Sequence, residues 1–251
     1  MKLQLRDVTL IAVDSVSHQL GALAVKECTD RVKFGAVHIH TDNTEPFQDY
    51  GIDATFVSVP PFLDLDEVMT YYWYRLPPYI ETSHALIVQW DSGIVCPAQW
   101  NEEFLEYDYI GAPWGWHGDA HEVGNGGFSL RSRRLMRYVA EHPRDFPLGH
   151  PEDDVLCRRY RPTLERDGFR WASHDLALQF SFERTGFSGM ERHFGYHGIF
   201  NWPRVFTAEA LRERIMLILR NKYLNQPKHL TELLNAVQCQ SNAGSRGDKP
   251  F

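Results

Sequence analysis

One short apolar run, Ala85 to Val88, constrains the fold of this chain more than any other stretch. Four consecutive apolar residues are typical of a strand that is buried on both faces of a parallel sheet. The run ends in Gln89-Trp90-Asp91, which places a carboxylate where the strand leaves the sheet. Because open α/β sheets bind ligands at the carboxyl ends of their strands, the stretch predicts a site at that edge. The alternative is a buried strand that simply leaves through a polar turn.

The first part of the chain alternates between predicted strands and a predicted helix. Residues 8–13 are expected to form a buried strand, residues 34–40 a second strand, and residues 54–59 a third that ends at a Pro-Pro pair. Apolar residues at helical spacing predict a helix over residues 19–32. A helix between two strands implies a right-handed crossover, so the predicted fold class is α/β, with a mainly parallel central sheet flanked by helices.

Polar residues at the ends of two of these strands predict a nucleotide pocket. Val13, Asp14 and Ser15 end the first strand, and Asp42 follows the second. Arg75 lies near the end of a predicted helix that stops before a second Pro-Pro pair. It could reach a diphosphate, or it is simply a solvated surface arginine. Neither GxGxxG nor GxxxxGK[ST] occurs, so neither a dinucleotide fold nor a P-loop has support.

The composition limits the partners and the compartment. With 251 residues, the chain could form one large α/β domain or two small ones. Acidic residues exceed basic residues by 33 to 26, which argues against nucleic acid as a partner and against a general anionic-membrane surface, and leaves only a local basic patch open. No apolar stretch is long enough to cross a bilayer, and the four widely spaced cysteines form no CxxC pair. These features predict a cytoplasmic protein with reduced thiols.

Three consecutive acids, Glu152, Asp153 and Asp154, follow Pro151 at a predicted helix start. Proline and acids both suit the first turn of a helix, so capping alone would explain them. Successive helical residues point about 100° apart, so the three acids cannot serve one purpose. Glu152 is predicted to share the apolar face, Asp153 to lie at its edge and Asp154 to point away. A carboxylate at a helix start is expected to have a low pKa, which suits a general base.

The remaining elements are predicted from shorter patterns. Residues 131–141 are expected to form a basic helix, and Pro162 is expected to end the helical region after the acids. Residues 169–173 form a possible edge strand, whereas residues 174–182 fit either a strand or a short helix. A late amphipathic helix is predicted over residues 211–223.

Four motifs occur in a fixed order, and their order suggests a family. They are Gln89-Trp90-Asp91, Gly126-Gly127-Phe128-Ser129, Glu152-Asp153-Asp154 and Gly195-Tyr196-His197-Gly198. This order resembles the catalytic domain of the β-1,4-galactosyltransferase family, which carries Gly-Gly-Val-Ser and Gly-Glu-Asp-Asp motifs on a GT-A-type fold. The chain is also similar to an uncharacterised bacterial group with Gln-x-Asp, Tyr-Asp-Tyr-Ile-Gly-Ala-Pro-Trp and Gly-Asn-Gly-Gly-Phe-Ser-Leu-Arg patterns. The resemblance covers residues 8 to 205.

The resemblance implies a domain organisation. Residues 1–205 would form a single GT-A-like, Rossmann-like catalytic domain, with a nucleotide-binding half over residues 1–97 and an acceptor half over residues 98–205. Residues 206–239 would form a C-terminal helical extension, and residues 240–251 a flexible tail.

The resemblance also implies catalytic and metal-binding roles. Asp91 and His197 would bind Mn²⁺ or Mg²⁺ that bridges the donor diphosphate. Asp153 would deprotonate the acceptor hydroxyl, Glu152 would orient the acceptor, and Asp154 completes the catalytic set. Gln89 stands where the family commonly has an acid, and one carboxylate binds a divalent ion less strongly than two.

Further residues are assigned to the donor and the acceptor on the same basis. Gln89, Gly126, Gly127 and Phe128 match the segment beside the nucleotide sugar. Two aromatic residues before that segment, Trp114 and Trp116, could stack on an acceptor sugar. Their Trp-Gly-Trp motif lies earlier than in the family, where it directly precedes the acids.

The predicted function is a metal-dependent, inverting glycosyltransferase that moves a sugar from a nucleotide sugar, with a UDP-sugar favoured, to a glycan acceptor. Its predicted setting is bacterial surface polysaccharide synthesis, in the cytoplasm and peripherally at the inner face of the membrane. Two alternatives stay open. One is a non-catalytic nucleotide- or sugar-binding domain. The other is a sugar nucleotidyltransferase, which should carry a glycine-rich basic loop where this chain has Asp14-Ser15-Val16-Ser17-His18.

Overall fold

The computed structural model describes residues 2–62, 64–142 and 149–244. The chain divides into two compact units, Met1–His197 and Gly198–Phe251. The first unit contains both sheets and the large hydrophobic core. The second unit is helical over its described residues.

A six-stranded sheet forms the centre of the first unit, in the order β3-β2-β1-β4-β7-β6, and a small sheet has the order β5-β9-β8. The strands are β1 Leu3–Asp14, β2 Val32–Thr41, β3 Thr55–Ser58, β4 His84–Val88, β5 Ser92–Ile94, β6 Tyr109–Gly111, β7 Phe128–Ser132, β8 Ser181–Phe182 and β9 Gly195–His197. Strands β3, β2, β1 and β4 are parallel, whereas β7 is antiparallel to both β4 and β6. The predicted mainly parallel α/β class is therefore confirmed.

Helices connect the strands of the first unit and form the second. In the first unit they are α1 His18–Arg31, α2 Glu45–Asp49, α3 Leu65–Thr70, α4 Arg133–Glu141, α5 Glu152–Asp154, α6 Arg161–Arg166 and α7 His174–Phe180. Tyr71–Arg75 and Val155–Arg159 are π-helical, and short 3₁₀ turns cover Pro77–Tyr79, Pro97–Gln99, Glu102–Glu106 and Met190–Arg192. The second unit contains a 3₁₀ turn at Ile199–Asn201, α8 Trp202–Val205, α9 Ala208–Arg220 and α10 Pro227–Gly244.

The two apolar runs that predicted strands form the middle of the central sheet. Leu10 on β1 lies opposite Leu86 on β4, and Ile11 lies opposite Ile87. All four side chains have no exposed surface. Burial on both faces of the sheet explains why these strands are continuously apolar rather than alternating.

The turn after β1 is fixed by its own carboxylate. Asp14 Oδ1 accepts hydrogen bonds from the backbone N–H groups of Val16 and Ser17, at 2.8 and 2.7 Å, and its Oδ2 accepts one from the Ser17 hydroxyl. Gly21 in α1 is packed so closely that a Cβ there would overlap the Asp14 carboxylate. Asp14 therefore orders the start of α1 as well as lying at the predicted edge of the sheet.

The predicted helix over residues 131–141 begins two residues later than expected. Arg131 belongs to β7, where it pairs with Ala85 of β4, and α4 starts at Arg133. The Ser132 hydroxyl caps that helix by accepting a hydrogen bond from Leu135 N at 3.0 Å. The prediction placed Arg131 in a basic helix, but it lies in the sheet and is completely buried.

Three further predictions are corrected or resolved. Pro162 lies in the first turn of α6, so it begins a helix rather than ending one, as its fixed φ permits. Of the predicted strand 169–173, Trp171 alone forms a bridge, with Tyr109. Residues 174–182 form helix α7 followed by the short β8, which settles that alternative.

The C-terminal end differs in part from the predicted flexible tail. Helix α10 continues to Gly244, so residues 240–244 have helical backbone. The remaining tail, residues 245–251, lies outside the described residues. Among the helices of the described ranges, none has the length and apolar character that crossing a bilayer requires.

Candidate functional site

The small sheet brings Asp91 and His197 together. After β4 the chain passes through Gln89-Trp90-Asp91 into β5, which pairs antiparallel with β9 so that Ser92 lies opposite His197. Asp91, next to Ser92, therefore reaches the histidine, and its Oδ1 lies 3.4 Å from His197 Nε2. The two residues predicted to bind a metal are thus neighbours.

Gly127 lies between Gln89 and His197. Its carbonyl accepts a hydrogen bond from Gln89 N at 3.0 Å, where the start of β7 meets the end of β4. A Cβ at Gly127 would overlap the His197 ring at Nε2 and would lie 2.8 Å from Gln89 Oε1. A glycine is needed here because two functional side chains converge on the same backbone position.

The other nitrogen of His197 contacts two residues that the sequence did not reveal. His197 Nδ1 lies 3.2 Å from Glu183 Oε1 and 3.0 Å from Asn125 Nδ2. The amide orientation of Asn125 is fixed, because its Oδ1 accepts hydrogen bonds from the backbone N–H groups of Gly127 and Phe128. Asn125 directly precedes the two glycines, which is a weak signal, whereas Glu183 lies in no recognisable motif.

His197 lies between two carboxylates, and this sets its charge. Burial acts to lower the pKa of the ring, but Asp91 and Glu183 outweigh it and raise the pKa of His197 to about 10. The protonated ring can donate from Nε2 to Asp91 and from Nδ1 to Glu183, and in that state Asn125 Nδ2 lies against Nδ1 without donating to it. The cluster therefore buries one positive and two negative charges.

The predicted acids lie on the other side of the two glycines. Asp153 Oδ2 accepts a hydrogen bond from Gly126 N at 2.9 Å, and its Oδ1 accepts one from Asp154 N at 2.8 Å. A Cβ at Gly126 would lie 2.5 Å from Glu152 Oε1. Gly126 and Gly127, called the glycine pair below, therefore contact the acids through one residue and His197 through the other.

Arg131 organises the acid side of the glycine pair. Its Nη2 donates to Glu152 Oε1 at 2.6 Å and to the carbonyl of Gly126 at 3.2 Å. The guanidinium lies over the rings of Tyr72 and Tyr109, at 5.7 and 5.2 Å from the centroids. Although burial acts to lower the pKa of Arg131, Tyr109 and Glu152 raise it, so the side chain keeps its charge. The sequence did not predict this role, because it placed Arg131 at the start of a basic helix.

The three acids serve different purposes, as expected, but the predicted low pKa is wrong. Burial and the neighbouring Glu152 raise the pKa of Asp153 to about 6, and its hydrogen bonds do not compensate fully. Glu152 pairs with Arg131, whereas Asp154 forms a partly exposed ion pair with Arg159 at 2.9 Å. The position of Asp153 at a helix start lowers its pKa less than burial and the second carboxylate raise it.

A cavity of about 440 Å³ opens beside Gln89 at the carboxyl ends of β1 and β4. Its lining includes the predicted residues Val13, Asp14, Ser15 and Gln89. The sequence missed several other lining residues, among them Phe62, Asp64, Tyr72 and Trp90. The aromatic members come from the loop after β3, from the π-helix and from the turn after β4, so no single motif marks them.

Asp42 and Arg75 lie apart from this cavity. Asp42 Oδ1 is paired with His18 Nε2 at 2.6 Å. Arg75 is exposed and lines a different cavity of about 950 Å³, whose walls include Tyr71, Tyr74 and Tyr79. Neither residue belongs to the lining beside Gln89.

The predicted aromatic residues differ in exposure. The Phe128 ring has no exposed surface and packs against Phe180 and Phe194 in the core. Trp114 is 7% exposed and packs over Gly124, whereas Trp116 is 54% exposed. Of the three, Trp116 is therefore the most accessible to a ligand.

The residues around His197 fit a divalent cation only in part. Across residues 2–62, 64–142 and 149–244, no group of three or more His, Cys, Asp or Glu side chains is arranged to hold an ion. Asp91 Oδ1 and His197 Nε2 nevertheless face each other, and Gln89 Oε1 lies close by. Once a cation displaces the proton on His197 Nε2, this set could hold that cation, with its other positions filled by a ligand and water.

Comparison with protein families places the chain in one of them. The model for the family described as "Protein of unknown function (DUF5672)" matches residues 68–197, which is more than half of the chain. The chain belongs to this family. The matched region includes the glycine pair, the acids and His197, and no comparison supports membership of the β-1,4-galactosyltransferase family in particular.

Among solved structures, the chain is similar to one described as "a glycosyltransferase involved in the glycosylation of the major capsid of PBCV-1". The match has 13% sequence identity and a TM-score of 0.47, and it covers 83% of this chain and 98% of that chain. No match was found among curated proteins. The fold class follows from the strand order itself, and the function has to be argued from the site.

Proposed function

We propose that this protein is a glycosyltransferase that moves a sugar from a nucleoside-diphosphate sugar to a hydroxyl group of a glycan acceptor. The observation that carries the proposal is the glycine pair, which contacts Asp153 through Gly126 and His197 through Gly127. Sugar transfer needs a base for the acceptor and a binding site for the leaving diphosphate. The glycine pair places a candidate for each on adjacent residues.

Asp153 is the proposed base. With a pKa of about 6, its carboxyl is mostly ionised at neutral pH and still basic enough to accept a proton. The acceptor oxygen would form its bond to the anomeric carbon as Asp153 takes the hydroxyl proton and the bond to the diphosphate breaks. Attack from the face opposite the leaving group inverts the configuration at that carbon. Arg131 and Gly126 would hold the acid pair in place.

Asp91 and His197 are the proposed ligands for Mn²⁺ or Mg²⁺. Their facing atoms, together with Gln89 Oε1, would leave most coordination positions to diphosphate oxygens and water. When bound, such a cation neutralises charge on the leaving nucleoside diphosphate. Glu183 would accept a hydrogen bond from His197 Nδ1 and so orient Nε2, without its proton, towards the cation.

The cavity beside Gln89 is the proposed nucleotide site. Tyr72 and Trp90 provide aromatic surface there, and the turn after β1 provides polar backbone at Asp14 and Ser15. A UDP-sugar is the favoured donor, and the exposed Trp116 could stack on the acceptor. The proposed setting is the synthesis of a bacterial surface polysaccharide on the cytoplasmic side of the membrane.

A non-catalytic sugar-nucleotide-binding domain is the second candidate. Gln89 stands where a second carboxylate would bind a cation, and the described residues contain no three-ligand group. The intact acid pair and its buried Arg131 support the enzyme over this candidate. A sugar nucleotidyltransferase has less support, because a short polar turn organised by Asp14 replaces the glycine-rich basic loop.

The test is a panel of nucleoside diphosphates and their sugars with Mn²⁺, with Mg²⁺ and with EDTA. A ligand at a hundred times its dissociation constant stabilises the folded state by about 2.7 kcal/mol, which a thermal unfolding assay detects. We expect metal-dependent stabilisation by one nucleotide, and release of that nucleotide when the matching sugar donor is supplied. Binding without any turnover would favour the binding domain, and no binding to any nucleotide would refute both.

A further inference from the structure

Helix α9 of the C-terminal unit has one buried face. Ile218 has no exposed surface, and the Arg214 guanidinium is buried with its carbon 3.6 Å from the centroid of the Phe206 ring. Thr207 caps the helix by accepting a hydrogen bond from Ala210 N. The helix is therefore a firmly packed element, and its opposite face is available for another role.

The opposite face is apolar where a solvated face would be polar. Met216 and Leu219 are 45% and 40% exposed, and Tyr223 in the turn after the helix is 53% exposed. Met216 lies one helical turn from both Arg212 and Leu219, so the three share a face. Five of the nine exposed large apolar side chains of the described residues lie between residues 216 and 237. The concentration in so short a stretch distinguishes it from scattered surface apolar residues.

The charge of the same stretch is opposite to that of the chain. Residues 216–237 contain three basic residues, Arg220, Lys222 and Lys228, and one acidic residue, Glu232. Residues 198–251 contain 8 basic and 4 acidic residues, and residues 1–197 contain 18 and 29. Lys222 Nζ lies 4.7 Å from the centroid of the Tyr223 ring, so a base and an aromatic residue lie side by side.

We propose that the exposed face of α9 and the turn after it dock on an anionic lipid bilayer. This α9 face comprises Arg212, Met216, Leu219, Arg220, Lys222 and Tyr223. Met216, Leu219 and Tyr223 would enter the headgroup region, while the basic side chains contact lipid phosphates. The contact is peripheral, since no described helix can span a bilayer.

A bilayer suits this face better than a second copy of the chain. In a symmetric dimer, the same basic residues would meet across the interface, where like charges repel. Lysine is also depleted from the centres of protein interfaces. Anionic headgroups instead supply the opposite charge, and a bilayer accepts a few shallowly inserted apolar side chains without needing a complementary surface.

The experiment is sedimentation of the full chain with sucrose-loaded vesicles of phosphatidylcholine, with and without phosphatidylglycerol. We expect binding to the mixed vesicles, little binding to phosphatidylcholine alone, and weaker binding as salt rises. M216E/L219E and R220E/K222E should each weaken binding to mixed vesicles by about tenfold or more. M190E, which alters an exposed apolar side chain of the first unit, is the matched control and should bind like the wild type.

All substituted positions are exposed, so thermal unfolding should show that the variants remain folded. Equal binding by wild type and both double variants, or no binding to mixed vesicles, overturns the proposal. Analytical ultracentrifugation tests whether a second copy of the chain occupies this face instead. A wild-type dimer that M216E/L219E dissociates would assign the face to that second copy. Because the readout is lipid binding, the proposal does not depend on the transferase function.

Discussion

Each side of the glycine pair holds one cation and two carboxylates, but the cation interacts with them differently. On the Gly127 side, a histidine lies between Asp91 and Glu183, and these carboxylates raise its pKa to about 10 against the effect of burial. On the Gly126 side, burial and Glu152 raise the pKa of Asp153 to about 6. The first side suits a leaving group and its counter-ion, whereas the second suits a base. Two adjacent glycines therefore contact the proposed leaving-group site and the proposed base within one short segment.

The largest expected effect is a loss of turnover when only the Gly126 side of the glycine pair is changed. Asp153→Asn removes the base but leaves the Gly127 side unchanged, so turnover should fall by about 10² to 10⁴-fold while nucleotide binding is kept. Transfer kinetics and nucleotide titration would measure the two quantities.

Asp154→Asn is the matched comparison, because it breaks an exposed ion pair with Arg159 at the neighbouring position. It should retain most of the turnover. If Asp153→Asn stays active, or if both variants lose turnover equally, the assignment of the base to Asp153 is wrong.

The next effect concerns the Gly127 side alone. Glu183→Gln removes the carboxylate that orients His197 through Nδ1, so the Mn²⁺ affinity should fall by about 10 to 100-fold. Calorimetric titration with Mn²⁺ and the nucleotide would measure this change without turnover. Glu191→Gln, at a well-exposed site in the same unit, is the control. Unchanged affinity in Glu183→Gln would show that Glu183 does not support a metal ligand.

A smaller effect concerns the Gly126 side of the glycine pair and appears as a shift in the pH dependence of kcat/KM. Because Asp153 must be ionised, kcat/KM should rise with pH and level off above about 6. Glu152→Gln removes a neighbouring negative charge and leaves Arg131 unpaired, and both changes lower the pKa of Asp153. The rising limb of the pH–rate profile should therefore move to lower pH. A limb that stays in place or moves upwards would contradict the coupling between the two acids.

The smallest effect is on stability and has a definite sign. The pKa of Asp153 is about 6 in the folded state against an ordinary value of 3.8, so between these values the folded state holds a proton that the unfolded state has lost. The free energy of unfolding should therefore fall as pH rises from about 4 to about 6. Asp153→Asn removes this penalty and should stabilise the protein at neutral pH by on the order of 1–3 kcal/mol, and not at pH 4.

Urea unfolding at both pH values would measure the difference. A variant that is destabilised equally at both would mean that the hydrogen bonds of Asp153 outweigh the cost of burying its charge.

Much of the central sheet could be predicted from the sequence, because it depends on local pattern. The runs that became β1 and β4 are continuously apolar since both of their faces are covered, and α1 shows the helical spacing of its buried side. The order of the motifs also identified the glycine pair, the acids and Asp91 with His197 as one set. The start of α4 was placed two residues too early because Arg131 was taken as the first of a run of basic helical residues, whereas it lies in β7 and is buried by aromatic rings and an acid distant in sequence.

The sequence by itself therefore determined which strands are buried and which polar residues stand at their ends, because burial on a sheet imposes a short-range apolar pattern. Only the tertiary structure decided that Glu183 and Asn125 hold His197, that Arg131 holds Glu152 and that Asp153 has a raised pKa. The physical reason is that desolvation and Coulomb interactions depend on distance in space. Asp91 and His197 meet through the pairing of β5 with β9, which no local pattern reveals.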